Sequence, residues 1–249
     1  MEAAEAAEVA RLERATVAAV APRQVLEADG WILALDDGPM GRARSAAPLS
    51  QDPPPALTPG LAGAYVAAGL PPAFRLPDLP PFEAAREQLS AEGYQASEPT
   101  WVMTGDPASV GRYRGPGPEG PGVILLDAPD ADWSAVFCGP GFDAEEGARR
   151  VAQLARSPGA RFGAVREAGR TLAVGVLSQA GGLGGVHGLR TAPDQRGRGH
   201  AGRLLSAFGR QTAHWDLPGI FLQVEADNPA RSLYRSAGFR DLWRYTYWR

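Results

Sequence analysis

The chain contains no lysine: all 25 of its basic residues are arginine. Against them stand 28 acidic residues, for a net charge of −3 and an isoelectric point near 5.7. That balance argues against a nucleic-acid binder, because such domains are normally basic. The one cysteine, Cys138, excludes an intrachain disulfide and reads as a small buried hydrophobe rather than a nucleophile. Three scattered histidines do not make a metal site. No run approaches the roughly 20 apolar residues of a membrane span. The first eight residues are acidic and alanine-rich. A secretory signal needs a basic start and an apolar stretch, so this segment reads as a helix and the protein as cytoplasmic.

What is plentiful is glycine (31) and proline (23), with many alanines. Together with the arginine-only basic set, this reflects a GC-rich genome more than a function. Hydrophobic content of 44% and charged content of 21% are ordinary for a globular protein. A chain of 249 residues is one large domain or two small ones, and either buries a substantial core.

Residues 191–239 organise the reading. Arg196-Gly197-Arg198-Gly199-His200-Ala201 is a strand end, a glycine-interrupted turn and the start of an amphipathic helix with Leu204, Leu205 and Phe208 as its buried stripe. Gly197 and Gly199 permit positive φ and close backbone approach to a ligand. Open N–H groups at a helix N-terminus, with Arg196, Arg198 and Arg203 nearby, suit a diphosphate. Gly-x-Gly alone also caps helices with no ligand. The turn is neither a P-loop, which needs Gly-Lys-Ser/Thr, nor a Rossmann Gly-x-Gly-x-x-Gly. About thirty residues on comes Asn228-x-Ala230-x-x-Leu233-Tyr234-x-x-x-Gly238-Phe239.

In that order and at that separation, the two segments resemble the two signatures of the GNAT superfamily, the acyl-CoA-dependent N-acyltransferases. The resemblance implies an α+β fold, a mixed and mostly antiparallel GNAT-type sheet flanked by helices. From residue 143 the pattern predicts a helix over 143–156, strands over 161–167, 171–178 and 186–191, a helix over 199–215, a strand over 220–225, a helix over 229–237 and a strand over 241–248. The glycine cluster 181–185 is expected to separate the second strand from the third.

Before residue 139 the pattern is fainter. It predicts helices over 2–19 and 81–91, strands over 31–36, 73–76, 94–103 and 123–126, and a short helix or edge segment over 132–137. Residues 41–46 are expected to pair back as a hairpin, and 51–59 and 112–122 to be loops. Residues 82–94 followed by a strand echo 230–239 followed by a strand. This half thus resembles a degenerate GNAT-like unit in a tandem, mycothiol-synthase-like architecture, with an unrelated accessory domain as the alternative. The expected division is 1–139 and 140–249, at Gly139-Pro140-Gly141.

The resemblance implies transfer of an acetyl group from acetyl-CoA to a primary amine. It maps Leu189, Arg190 and Thr191 onto main-chain contacts with the pantetheine arm, and Arg196, Gly197, Arg198, Gly199, His200 and Ala201 onto the diphosphate. It adds Asn228 and Arg231 as cofactor contacts. An extended pantetheine carries amides and can add to an open strand edge. Tyr234 is the expected general acid, since a phenol is close in pKa to an alkyl thiol; the alternative is an ordinary half-buried tyrosine. Asn228 is equally a helix cap ahead of Pro229. Glu225 shares a strand face with Gln223 and is the candidate base, directly or through water. His187 is the other candidate, although a lone strand histidine is usually structural, and His214 is a favourable charge near a helix end.

The alternating tail of Trp243, Tyr245 and Tyr247 opposite Arg244, Thr246 and Trp248 is core and sheet surface, or lines an acceptor pocket. The partners this implies are acetyl-CoA and a small-molecule or peptide amine, with no nucleic acid and no membrane and a homodimer left open. A non-catalytic acyl-CoA sensor or an interaction protein of the same fold is the rival reading.

Overall fold

The computed structural model describes residues 2–115, 120–140 and 143–249. Gly141 and Phe142 of the expected boundary, and 116–119 of the expected 112–122 loop, lie outside the described residues. In chain order the elements begin α1 (Glu2–Ala18), β1 (Gln24–Ala28), β2 (Trp31–Leu35), β3 (Ala46–Pro48), α2 (Pro59–Ala67), β4 (Phe74–Pro77) and α3 (Glu83–Ala91). There follow β5 (Ala96–Gly105), α4 (Pro107–Gly111), β6 (Val123–Leu126), α5 (Ala131–Phe137) and α6 (Ala144–Leu154). The chain ends with β7 (Arg161–Glu167), β8 (Arg170–Ala180), β9 (Leu183–Thr191), α7 (His200–His214), β10 (Ile220–Glu225), α8 (Ala230–Ser236) and β11 (Phe239–Trp248). The mixed α+β fold and the order of elements after residue 143 are those expected from the sequence. Among the described residues, no helix is long and apolar enough to cross a membrane.

All eleven strands form one sheet, in the order β1-β2-β3-β4-β11-β5-β10-β9-β8-β7-β6. Its pairings are antiparallel except β3 with β4 and β10 with β9. Residue 139 therefore divides the chain but not the sheet. β5 is antiparallel to both β10 and β11, and β6 pairs with β7.

Alternation along the strands sends side chains to two faces. On one face the α7 stripe of Leu204, Leu205 and Phe208 packs on Val165, Leu177, Val186 and Leu222. Gly163 and Gly175 make room for it: a Cβ on Gly163 would stand 2.7 Å from the Phe208 ring. On the other face α5 and α6 bring Trp133, Phe137 and Leu154 against Phe162, Val174 and Val176, and the Trp133 indole donates to the Gly163 carbonyl at 3.0 Å. Val9, Leu12 and Ala15 of α1 cover Phe221, Tyr245 and Tyr247. Beneath them Glu13 and Arg75, both buried, pair at 3.0 Å. This pair ties α1 to β4.

Two local expectations are corrected, and three elements (β1, α2 and α4) were not predicted. Residues 41–46 are not a hairpin strand: Gly41–Arg44 is a 3-10 turn, because Gly41 is pressed on the Tyr247 ring and Arg249, where a Cβ would meet the guanidinium at 2.9 Å. Only Ala46–Pro48 pairs back on β2. The glycine cluster is mostly strand: Gly181 and Gly182 turn with positive φ, but β9 starts at Leu183. Gly184 and Gly185 are there because Thr212, Ser178 and His187 fill the space a Cβ would need. β1 and α2 carry no clear periodicity; α2 buries only Leu61 and Tyr65, and β1 is an exposed edge. The 107–111 helix is short and announced by Asp106, whose side chain caps the Ser109 N–H at 2.7 Å.

Gly209 lies where α7 crosses α4, touching the backbone of Gly111, with Val110 C only 2.8 Å from a Cβ built there. Helix propensity favours alanine over glycine by up to about 1 kcal/mol, but this backbone cannot yield as a flexible side chain would. Gly209→Ala is expected to lower the unfolding free energy by about 1–3 kcal/mol in chemical denaturation.

Candidate functional site

The site opens where two parallel strands part. β9 and β10 pair from Ile220↔Gly184 to Leu222↔Val186 and no further. β9 nevertheless runs on to Thr191 along β8, across a bulge between the Val174↔Arg190 and Val176↔His187 pairs. At the bulge Gly188 has φ of +57° and presses on the Phe137 ring, where a Cβ would sit at 2.8 Å. The extra residue turns β9 away from β10, leaving the β9 edge from His187 to Thr191 without a partner strand among the described residues.

Two cavities flank this edge. The larger, of about 890 Å³, is lined by Leu189, Gln223, Glu225, Asn228 and Tyr234 from the second half of the chain, and by the 37–44 segment, Glu98 and Thr100 from the first. The smaller, of about 250 Å³, is lined by Thr191, Arg196, Gly197, Gly199, His200 and Ala201, together with Tyr113 and Leu233. Leu189 with Thr191, and Tyr234 with Leu233, place the two along the same strand and helix.

In the smaller cavity Gly199 precedes α7 with φ of +77° and ψ of 5°, and Gly197 also has positive φ. Only glycine adopts such angles without cost. The first N–H groups of this fifteen-residue helix have no carbonyl ahead of them and carry the positive end of its dipole. Arg170 grips Asp194 through two 2.8 Å bonds, fixing the preceding turn and pulling that carboxyl down to about 2. His200 is buried; its Nδ1 lies 3.0 Å from a guanidinium nitrogen of Arg203. Arginine only donates, so Nδ1 accepts and Nε2 carries the proton. Burial first, then Arg203, lowers the His200 pKa and keeps the ring neutral. That leaves a buried Nε2–H with no acceptor among the described residues. An orphan donor beside a helix N-terminus fits a phosphate oxygen.

Tyr234 is half-buried on α8, edge-on to Phe239 at 6.3 Å, and burial pushes its phenol up to about 12, so it holds its proton at neutral pH. Glu225 ends β10 in register with Thr100. Asn228 Oδ1 accepts the Ala230 N–H at 3.0 Å, so its capping role is present in the fold. Gln223, on the Glu225 face, accepts from Tyr245 at 2.9 Å and donates to Thr16 at 3.2 Å. Three expected residues line neither cavity. Arg231 holds Asp241 at 2.9 and 3.1 Å and stacks 4.1 Å from the Trp101 ring. Arg190 donates to the Gly139 carbonyl at 3.3 Å, and Arg198 is exposed and contributes its carbonyl to Arg203.

His187 is buried, with Nδ1 3.1 Å from Arg42 and Nε2 3.1 Å from Ser178 Oγ. Arg42 donates, so the ring gives its Nε2 proton to Ser178, whose hydroxyl donates to the Gly185 carbonyl. With both nitrogens engaged it is a structural histidine, not a base. Arg42, Arg44 and Tyr113 also line the cavities and were not singled out from the sequence. Tyr245 and Tyr247, from the alternating tail expected to be core or acceptor-pocket lining, line the larger one.

Solved structures of the same shape bear acetyltransferase names. A GCN5-related N-acetyltransferase from Kribbella flavida is 17% identical, with a TM-score of 0.67 over 96% of this chain and 94% of its own. A tandem GNAT protein from the clavulanic acid biosynthesis pathway is 15% identical, with a TM-score of 0.58 over 98% and 94%. A functionally unknown conserved protein from Staphylococcus epidermidis ATCC 12228, 8% identical, reaches 0.64 over 92% and 94%. The fold is thus that of the GNAT acetyltransferases. Residues 6–248 match the family described as "Probable histone acetyltransferase Rv0428c C-terminal", and the chain belongs to that family of acetyltransferases. Comparison with curated proteins finds no match.

Burial and Arg42 hold the His187 pKa well below 6.5 in the fold. Below pH 6.5 the unfolded chain binds a proton here that the folded chain refuses, so stability is full above that pH and is lost as pH falls. The expected loss is about 1.4 kcal/mol per pH unit below 6.5. Chemical denaturation between pH 7 and 5 should show a shallower slope for His187→Asn.

Proposed function

We propose that the protein transfers an acetyl group from acetyl-CoA directly to a primary amine in the large cavity. The observation that carries this reading is the parting of β9 from β10 beside both cavities. The bare β9 edge offers main-chain groups to the amides of the pantetheine arm, which lies along it like an added strand. The N-terminus of α7, with Gly197, Gly199 and the His200 Nε2–H, holds the diphosphate. With the cofactor held so, its thioester lies near Leu189, between Tyr234 and Glu225.

The acceptor nitrogen attacks the thioester carbonyl, a C–N bond forms and the C–S bond breaks. Glu225 takes the amine proton, directly or through water, and Tyr234 gives its proton to the departing sulfur. The raised Tyr234 pKa keeps that proton in place until the thiolate forms. The compartment of this reaction is the cytoplasm, as in a bacterial enzyme.

For the architecture, we propose a catalytic half over 140–249 preceded by a degenerate GNAT-like half over 1–139. The support is a repeat of geometry. α3 ends at Gly93 with φ of +91° before Tyr94 and β5, and α8 ends at Gly238 with φ of +99° before Phe239 and β11. The two strands lie next to each other in the sheet, paired antiparallel.

Tyr234→Phe is expected to lower kcat about ten-fold or more with acetyl-CoA affinity nearly unchanged; full turnover in the variant would remove the acid assignment. Gly199→Val forces a β-branched residue to positive φ, and calorimetry should show CoA binding weakened by about ten-fold or more.

A further inference from the structure

Five arginines and six carboxylates line the large cavity, and two of the arginines, Arg42 and Arg44, stand outside every ion pair of the described residues. The 3-10 turn Gly41–Arg44 brings Arg42 and Arg44 to its wall. The other cavity arginines are engaged: Arg249 with Glu98 at 2.9 and 3.0 Å, Arg150 with Glu146 at 2.6 Å, and Arg149 with the Asp37 carbonyl at 2.6 Å. Two of the carboxylates are likewise taken, Asp37 by Arg23 at 2.9 Å and Asp143 by the N–H groups of Glu145 and Glu146. Arg42 has only the neutral Nδ1 of His187, and most of its five N–H donors remain. Among the described residues, neither Arg42 nor Arg44 forms an ion pair. Arg42 is moreover desolvated and lies near two further cations, Arg75 and Arg150. A guanidinium so placed lacks an anion, and a bound one stabilises it strongly.

Resting on the acetyltransfer reading above, we infer that the acceptor is a small amine that also bears a carboxylate. Arg42 and Arg44 hold the carboxylate, while the amine is presented to Glu225 and Tyr234. Thr100 is in register with Glu225 on one side and Tyr245 on the other, and Arg42 lies within electrostatic reach of Tyr245 and Tyr247, so the arginines and Glu225 face one cavity from different strands and turns. The class is an amino carboxylate. Glu225, which has no ion-pair partner among the described residues, matches the ammonium end.

The test is a set of matched acceptors with acetyl-CoA: 4-aminobutanoate against butylamine, 6-aminohexanoate against hexylamine, lysine against cadaverine, and a lysine-rich peptide. The amino carboxylates are expected to exceed their partners in kcat/KM by ten-fold or more. Arg44→Gln should shrink that preference to a few-fold, mainly by raising KM for the carboxylate acceptor. Equal rates within each pair, a preference for the lysine-rich peptide, or acetylation of no carboxylate acceptor would each overturn the assignment. CoA calorimetry separates the two readings: binding retained while every carboxylate acceptor is refused sinks only the acceptor class. Loss of CoA binding sinks the acetyltransfer reading with it.

Discussion

Everything that makes this sheet a site depends on two strands failing to stay together. β9 and β10 run parallel for three residue pairs and then separate. The cause is local: a bulge opposite Gly175, with Gly188 at positive φ against Phe137. A regular β9 would continue alongside β10, and the main-chain groups of residues 187–191 would be spent on the ladder. Instead they face a gap with the open end of α7 beyond one side and a polar cavity on the other. The tight packing of α7 on Gly163 and Gly175 holds that gap in place, because interiors at crystal-like density deform little.

The second constraint is electrostatic. A chain whose only strong cation is arginine builds its interior polar groups from guanidinium. Arg75 is buried against Glu13 and stacks 5.2 Å from the Tyr245 ring; Arg42 lies within electrostatic reach of the same tyrosine pair. Burial pushes the Tyr245 phenol well above its ordinary range, so Tyr245 and Gln223 in the cavity wall, with buried Thr16 bonded to Gln223, form a neutral hydrogen-bonded chain. Guanidinium suits this position better than ammonium would, since it keeps its charge when desolvated and presents several donors at once.

The second half of the chain was legible almost throughout, because it is long-range periodic and punctuated. α7 carries its apolar stripe, Gly197 and Gly199 mark the turn, and Asn228-Pro229 starts α8. The glycines of β9 misled, since Gly184 and Gly185 look like a loop until Thr212 and His187 are seen filling their side-chain space. The first half resisted for the opposite reason: β1 is an exposed edge and α2 is nearly all small residues, so neither prints a period. At the site, turn and helix residues were found because their spacing is local. Arg42, Arg44 and Tyr113 were not, because only the fold brings residues 37–44 and 113 beside 189–234. Arg231 shows the converse: a residue near the right motif is bound instead by Asp241, ten positions on.

The sheet order has a consequence for how the molecule is made. The final strand, β11, lies in the interior of the sheet, wedged between β4 and β5, and β1 to β4 join the remainder only through it. Within the sheet, the strands on either side of β11 are therefore joined only once β11 is in place. Its placement links segments more than 130 positions apart, contacts of the slow, non-local kind. Until it happens β4 and β5 present bare inner edges, and this is the interval in which a neighbouring copy's tail could take the vacant place.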